Sequence, residues 1–204
     1  NYVNGTSLEE FFSKAGTKKV ISLGNYSEEG KYIDDGNRII LNSKTSKYLV
    51  DKDDLCMVLN DKGNGRLVGK TLLIDKDKQF IINQRSLRLI INKDRANPLF
   101  LHQMINSDIF RNKLKKYIQG NTQVYINPPS IMDIELDIPN DIVEQKKIAK
   151  VLDSFEIHIN HLKNLIDKKK MIRDGALENL MSGENRIQGF TKEWKTYKFK
   201  DYFK

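Results

Sequence analysis

Short apolar runs separated by turn residues dominate the first half of the chain. Across about residues 17–92, segments rich in Val, Ile and Leu alternate with glycine-containing turns, as in "KKVISLGNY", "DDLCMVLND" and "QFIINQRSLRLII". Short runs of β-branched and other apolar residues bounded by Gly, Asn and Asp are typical of β-strands. The pattern therefore predicts a β-rich region.

Helical periodicity follows this region. A helix is expected after Pro98, because apolar residues recur at helical spacing as far as Tyr117 and Gly120 supplies a stop signal. The segment "IMDIELDI" returns to the alternation of a strand, which Pro139 ends. The chain should therefore add one helix and one strand to the β-rich region, and this mixture of elements predicts an α/β fold.

A narrow apolar stripe distinguishes a second, much longer helix. This helix opens at Asp141, whose spacing to Glu144 is that of a capping box, and it ends near Gly183. Its apolar residues alternate in steps of four and three, as in the seam of a coiled coil: Ile148, Leu152, Phe155, Ile159, Leu162 and Ile166. We expect this stripe to pair with a second copy, giving a homodimer. The alternative is a helix folded back on the β-rich region, although such helices usually carry a wider apolar face.

Charge and cysteine content narrow the class of partner. The 204 residues include 35 Lys and Arg against 27 Asp and Glu, a net charge of +8. An excess of positive charge favours a polyanionic partner, nucleic acid before membrane, and a merely lysine-rich surface is the alternative. The single Cys56 lies in an apolar run and cannot form a disulfide within the chain. This low cysteine content is consistent with a reducing cytoplasm. No apolar run approaches the roughly 20 residues that span a bilayer.

Three segments resemble catalytic motifs but lack residues that the chemistry needs. "GRLVGKT" has the wrong glycine spacing for a phosphate-binding loop, and a strand is expected after it. "NPPS", residues 127–130, matches the tetrapeptide of amino-methylating DNA methyltransferases except at Ser130, where that family stacks an aromatic residue on the flipped base. Asp141, Glu144 and Lys146 resemble a nuclease signature but lie within two turns of one helix. We therefore expect no catalytic residue, no metal site and no cofactor.

Basic and amide side chains in turns and strand edges remain as candidate DNA ligands. Arg pairs with guanine, and Asn or Gln pairs with adenine, through two hydrogen bonds in the major groove. Lysines nearby would neutralise phosphates. Three segments, "NDKGNGRLVGK", "INQRSLRL" and "YIQGNTQVYIN", supply the candidates: Lys62, Asn64, Arg66, Lys70, Asn83, Arg85, Arg88, Gln119, Asn121, Thr122, Gln123 and Tyr125.

The segment from about Gln119 to Phe203 resembles the specificity subunits of type I restriction-modification enzymes. In that family a recognition domain ends in a glycine-amide turn, followed by "I-x-I-P" and "E-Q-x-x-I". Here "GNTQ", Ile138–Pro139, Glu144–Gln145 and Ile148 match in the same order. The tail "IQGFTKEWKTYKFKDYF" resembles the opening of a further recognition domain, where "F-T-x-x-W" introduces the first strand.

This resemblance implies an organisation. It implies a target recognition domain over residues 1–139 and a conserved spacer helix over residues 140–183. Residues 184–204 would open the next recognition domain as a strand that packs back on the first. A full-length family member has two recognition domains and two conserved helices, so the chain resembles one half-unit, cut from a longer protein.

The resemblance also implies a function and its partners. The chain would be a non-catalytic subunit that binds one half of a bipartite site in double-stranded DNA. It would scaffold methyltransferase subunits and, through them, motor-nuclease subunits, in the cytoplasm of a bacterium or archaeon. The alternative is a coiled-coil assembly protein that binds nucleic acid nonspecifically through a basic face, and an enzyme with a cryptic site is the least supported reading.

Overall fold

The apolar runs of the first half form short strands. The structure is a computed structural model that describes residues 1–62, 65–121 and 123–203. Within this part of the chain there are nine strands: β1 (Tyr2–Asn4), β2 (Lys18–Ile21), β3 (Arg38–Ile39), β4 (Leu55–Val58), β5 (Asn60–Asp61), β6 (Thr71–Leu73), β7 (Phe80–Ile82), β8 (Ser86–Leu89) and β9 (Val124–Tyr125). The predicted β-rich region is confirmed, and β1 is a strand that the sequence pattern did not reveal.

The strands pair into three sheets. An antiparallel sheet has the order β1-β8-β4-β6, with Cys56 opposite both Leu72 and Arg88. A second sheet has the order β3-β2-β7, in which β2 is antiparallel to β3 and parallel to β7. The third sheet is the antiparallel pair β5-β9. The pairing of β5 with β9 joins segments more than sixty residues apart, and it becomes important at the candidate site.

Strand β4 forms the centre of the core because both of its faces are buried. Successive side chains of a strand point to opposite faces. Leu55 and Met57 accordingly join one apolar cluster, whereas Cys56 and Val58 join another. Burial raises the pKa of the Cys56 thiol. The lone cysteine is therefore a core residue, as its apolar surroundings in the sequence indicated.

The helix predicted after Pro98 is present but interrupted. It comprises α1 (Pro98–Asn106) and α2 (Asp108–Leu114), separated by Ser107, whose backbone is extended. The Asn97 side chain caps α1 by accepting the Phe100 N–H at 3.0 Å. Both helices bury apolar residues against the Leu55 and Met57 side of the core.

The predicted strand in "IMDIELDI" is wrong. Its first residues end a short helix, α3 (Pro128–Met132), and residues 134–139 form no regular structure. Ile134 and Leu136 nevertheless pack on the same apolar cluster as α2. The alternation of apolar residues thus reflects one-sided packing of an irregular segment that pairs with no strand of the described chain.

The long helix is present as α4 (Ile142–Met181), whose 40 residues correspond to a length of about 60 Å. Asp141 caps it, since its Oδ1 accepts the Val143 N–H at 2.8 Å. The chain divides into two units, Asn1–Val151 and Leu152–Lys204, so the boundary falls inside α4. The first unit therefore extends past Pro139, the boundary expected from the sequence, and includes the first turns of the helix.

Those first turns are fixed by a buried glutamine. Gln145 is fully buried, and its Oε1 accepts the Asn97 N–H at 2.8 Å. Its Nε2 donates to the Pro139 carbonyl at 2.8 Å and, at 3.4 Å, to the Arg95 carbonyl. A second amide, Gln103, donates to the carbonyl of Ala149 at 3.1 Å. These contacts give a physical role to the glutamine of the "E-Q" motif.

The second unit contains the remainder of α4 and the aromatic tail. The strand predicted for residues 184–204 is wrong for the described residues 184–203, which form turns and a 3-10 helix at Phe199–Tyr202. A strand needs a neighbour to satisfy its backbone groups, and these residues pair with none in the described chain. Trp194 instead packs beside Gly183, with the Arg186 guanidinium 5.2 Å from its ring centre. Packing of the tail on the recognition domain stays a prediction.

Candidate nucleic-acid interface

The β5-β9 pair brings two of the predicted DNA-binding segments together. Asn60 lies opposite Tyr125, and Asp61 lies opposite Val124. Gln119 and Tyr125 close the second segment by exchanging two backbone hydrogen bonds of 2.9 Å. The turn that follows β5 and the turn that precedes β9 are therefore neighbours, although they are far apart in the sequence.

The turn after β5 presents two cations. Lys62 and Arg66 are exposed, and the Arg66 side chain is 71% exposed even though it lies 3.5 Å from Glu28. An exposed ion pair of this kind contributes little energy and leaves the guanidinium available. Asn64, another predicted ligand in this turn, lies outside the described residues.

The turn before β9 presents amides and a phenol ring. Gln119, Asn121 and Gln123 are exposed, and Tyr125 is 40% exposed. Gly120 has a φ of +87°, and a side chain at this position would collide with the Gln123 carbonyl, so the tight turn depends on glycine. Thr122 lies outside the described residues.

Arg85 lies next to the start of β5 and the end of β9, at the end of this pair opposite the two turns. Its carbonyl accepts the Leu59 N–H at 2.9 Å, and the Leu59 carbonyl accepts the Ile126 N–H at 2.9 Å. Arg85, β5 and the end of β9 thus lie side by side, and the Arg85 side chain is partly exposed. We call the residues gathered here the loop surface: Lys62, Arg66, Arg85, Gln119, Asn121, Gln123 and Tyr125.

Asn83 and Arg88, by contrast, are occupied inside the protein. Arg88 donates to the Leu49 carbonyl at 2.8 Å and pairs with Asp51 at 2.7 Å and Asp54 at 2.6 Å. The side-chain amide of Asn83, a buried residue, donates to Glu9 at 3.0 Å. We leave both residues out of the loop surface, because a donor already paired with internal acceptors would have to break those contacts to reach DNA.

Lys70 ends the turn after β5, directly before β6, and is partly buried. Its Nζ donates to the Asn106 carbonyl at 3.1 Å, and its pKa is lowered by burial and by the neighbouring Arg111. His102 lies close by, with its Nδ1 3.1 Å from Thr71 Oγ1, and burial lowers the pKa of its imidazole to about 4. Because its ammonium group is partly buried and bonded to Asn106, we place Lys70 outside the loop surface.

Arg111 of α2 was not among the predicted ligands, yet it contacts the loop directly. Its guanidinium donates to the carbonyls of Val68 and Gly65 at 3.3 and 3.5 Å. The sequence contains no local signal for these contacts, because they join residues 43 and 46 positions apart.

The described residues do not assemble a metal site or a phosphate-binding loop. In residues 1–62, 65–121 and 123–203 no group of three or more His, Cys, Asp or Glu could hold a metal ion. The turn containing Gly65 and Gly69 leads into strand β6, as expected, and not into the helix that follows a phosphate-binding loop. Among the described residues, no helix is both long and apolar enough to cross a membrane.

Most of the coiled-coil stripe is open to solvent. Leu152, Phe155, Ile159, Leu162 and Ile166 are between 44% and 59% exposed. Ile148 differs from them because it is partly buried next to the buried Ala149 in the first unit. The exposed part of the stripe therefore begins at Leu152, where the second unit begins.

Comparison with known proteins identifies the family. The family model of the type I restriction modification DNA specificity domain matches residues 4–170. The chain is 25% identical over 146 residues to the specificity subunit of the type I restriction enzyme MjaVIII from Methanocaldococcus jannaschii, an alignment that includes 72% of this chain and 34% of that subunit. The chain belongs to the family of type I restriction-modification specificity domains, as its motifs indicated.

Solved structures share the fold. The S subunit of a type I restriction-modification system from M. genitalium matches with a TM-score of 0.57 at 18% identity, covering 89% of this chain and 43% of that one. The HsdS subunit from Thermoanaerobacter tengcongensis matches with a TM-score of 0.60 at 14% identity, covering 95% and 51%. These likenesses confirm the mixed sheet-and-helix fold with a long helix. Specificity subunits of type I restriction systems are non-catalytic, in agreement with the predicted absence of an active site. The chain spans about a third of the MjaVIII subunit and about half of the HsdS subunit.

Proposed function

We propose that this chain recognises one half of a bipartite DNA target and that the loop surface is the part that reads it. The observation that carries the proposal is the β5-β9 pair, which joins a turn bearing Lys62 and Arg66 to a turn bearing Gln119, Asn121 and Gln123. Exposed arginines and amides on one surface are the groups that distinguish guanine and adenine in the major groove. The net charge of +8 supplies the attraction to phosphates.

The proposal includes the assembly expected for a specificity subunit. The chain works with methyltransferase subunits and, through them, with motor-nuclease subunits in the cytoplasm of a bacterium or archaeon. Exposed stripe residues such as Phe155 and Ile159 support a homodimer through α4, because a long apolar stripe is unusual on a monomer. An antiparallel pair would place one recognition domain at each end, which suits a target in two separated halves.

A selection experiment tests DNA recognition directly. The purified chain is used to enrich duplexes from a random library, and the enriched and scrambled duplexes are then compared in binding titrations at several salt concentrations. A sequence-specific subunit enriches one short motif. Enrichment of no motif, with equal affinity for all duplexes, would instead support the nonspecific coiled-coil protein.

Substitutions then locate the reading surface. Arg66→Ala or Arg85→Ala should weaken binding to the enriched duplex by about 1–3 kcal/mol if either side chain contacts a base through two hydrogen bonds. Lys62→Ala should weaken binding to all duplexes alike and flatten the salt dependence. Arg95→Ala, an exposed arginine of the same unit away from the β5-β9 pair, is the matched control. If neither Arg66 nor Arg85 affects binding, DNA is read elsewhere.

A further inference from the structure

Residues 65–69, in the turn after β5, contact helix α2. Arg111 donates to the carbonyls of Gly65 and Val68, at the two ends of a four-residue stretch that includes Arg66. Leu114, one turn further along α2, packs directly against Gly69, so a Cβ at that position would overlap the leucine side chain. Gly65 and Gly69 both have positive φ, of +68° and +80°, which a residue with a side chain rarely adopts.

Other contacts attach the same stretch along its inner side. The Leu67 N–H donates to Asp61 Oδ2 at 3.2 Å, and the Gly69 N–H donates to the Val58 carbonyl at 2.9 Å. These bonds use the amide groups of the stretch, whereas Arg111 binds its carbonyls. A planar guanidinium with five N–H donors suits this arrangement, because its two terminal nitrogens donate to two different carbonyls.

Arg111 is poorly placed to be a base-reading residue itself. Its side chain is only partly exposed, and its donors point at main-chain oxygens of the protein. The cation of Lys70 lies close enough to interact with it electrostatically. Two like charges held near each other are expected to be costly. The contacts to the carbonyls offset that cost, which argues for a role in shaping the turn.

We propose that Arg111 is a positioning residue that fixes the conformation of residues 65–69 and so aims Arg66 at its base. The proposal rests on the proposed function of the loop surface. It predicts that Arg111 affects DNA recognition only through Arg66, and that it orders the turn in the absence of DNA.

The test combines a double-mutant cycle with hydrogen exchange. Binding to the enriched duplex and to a scrambled duplex is measured across salt concentrations for wild type, Arg66→Ala, Arg111→Ala and the double variant. Hydrogen exchange of residues 65–70 is measured on the DNA-free proteins. Arg111→Lys keeps the charge but cannot reach both carbonyls, and Lys116→Ala removes an exposed cation just beyond α2 as the matched charge control.

The expected results separate positioning from contact. Arg111→Ala should lower affinity for the enriched duplex by about five- to tenfold, because a displaced arginine loses its paired hydrogen bonds. The double variant should bind no more weakly than Arg66→Ala. Arg111→Lys should share the loss in specific binding, and exchange at residues 65–70 should be faster in both Arg111 variants but not in Lys116→Ala. The salt slope for the scrambled duplex should be unchanged.

Three outcomes would overturn the proposal. Losses that multiply in the double variant would mean that Arg111 acts independently of Arg66. A salt slope reduced by about one unit would mean that it contacts a phosphate. Unchanged exchange in a folded Arg111→Ala protein would mean that it does not hold the turn. If the wild type enriches no motif, the proposed function fails, and the proposal that Arg111 aims Arg66 fails with it. Hydrogen exchange of residues 65–70 still decides whether Arg111 orders the turn.

Discussion

Replacing Gln145 tests how the start of α4 is attached to the rest of the first unit. The side-chain amide is fully buried and makes two hydrogen bonds of 2.8 Å, to the Asn97 N–H and the Pro139 carbonyl, and a longer one to the Arg95 carbonyl. Gln145→Ala removes all three and leaves polar backbone groups without these partners. Each buried group left unsatisfied costs about 1–3 kcal/mol. Relaxation and entry of water reduce that sum, so we expect the first unit to lose about 2–4 kcal/mol of stability.

The assay must report on the first turns of α4 and not on the tail. The single tryptophan, Trp194, lies in the second unit, so its fluorescence is unsuitable for this purpose. Urea denaturation followed by circular dichroism gives the change in stability, and hydrogen exchange of residues 142–151 localises it. Lys147→Ala, at an exposed position two residues further along α4, is the matched control and should change stability by less than about 0.5 kcal/mol.

Gln145→Glu is a more specific test, because it replaces only the NH2 group of the side chain with an oxygen. A glutamate can still accept the Asn97 N–H, but its second oxygen would face the Pro139 carbonyl, which is also an acceptor. Protonation of that oxygen restores a donor, so the folded state should raise the pKa of the new carboxyl. The folded protein then binds the proton more tightly than the unfolded chain, and the deficit relative to wild type should shrink as the pH falls. The reasoning is refuted if Gln145→Ala costs no more than Lys147→Ala, or if the deficit of Gln145→Glu is independent of pH.

Two further predictions concern the stripe and a buried histidine. The double variant Phe155→Asp with Ile159→Asp should convert a dimer into a monomer in sedimentation equilibrium at tens of micromolar. The control Lys168→Asp makes the same change of charge on the opposite side of α4 and should leave the dimer intact. A wild-type monomer would contradict the homodimer. Because the pKa of His102 falls from 6.5 to about 4 on folding, the unfolded chain binds the proton between these values and stability is lost as the pH falls through them. Urea denaturation should show a loss of about 1–2 kcal/mol between pH 7 and pH 5 that His102→Gln abolishes, and an equal loss in that variant would exclude His102 as the cause.

The parts of the fold predicted correctly are those fixed by local patterns. The strand at Leu55–Val58 is a continuous apolar run because both of its faces are buried. The long helix follows from its periodicity and its cap at Asp141. The tail and "IMDIELDI" were misread because a strand exists only if another strand pairs with it, and the sequence of a segment does not show whether a partner is available.

The candidate site shows the same limit at the level of single side chains. The sequence predicts Arg66, Gln123 and Arg88 alike as DNA ligands, and nothing in the neighbouring residues distinguishes Arg88 from Arg66. The difference arises because Arg88 meets Asp51, a residue 37 positions away, across the fold. Arg111 was missed for the same reason, since the carbonyls that it binds belong to a distant turn. Contacts between residues far apart in the sequence decide which cations are exposed, and the periodicity of apolar residues does not reveal these contacts.

The position of the boundary between the two units has a consequence for building chimeras. A fusion that exchanges recognition domains at Pro139 would join Gln145 and Ala149 from one parent to Asn97 and Gln103 from another. A junction after Val151 keeps these partners together, because the division between the units falls there. The segment to exchange is therefore the whole first unit, which includes the first ten residues of α4, Ile142 to Val151.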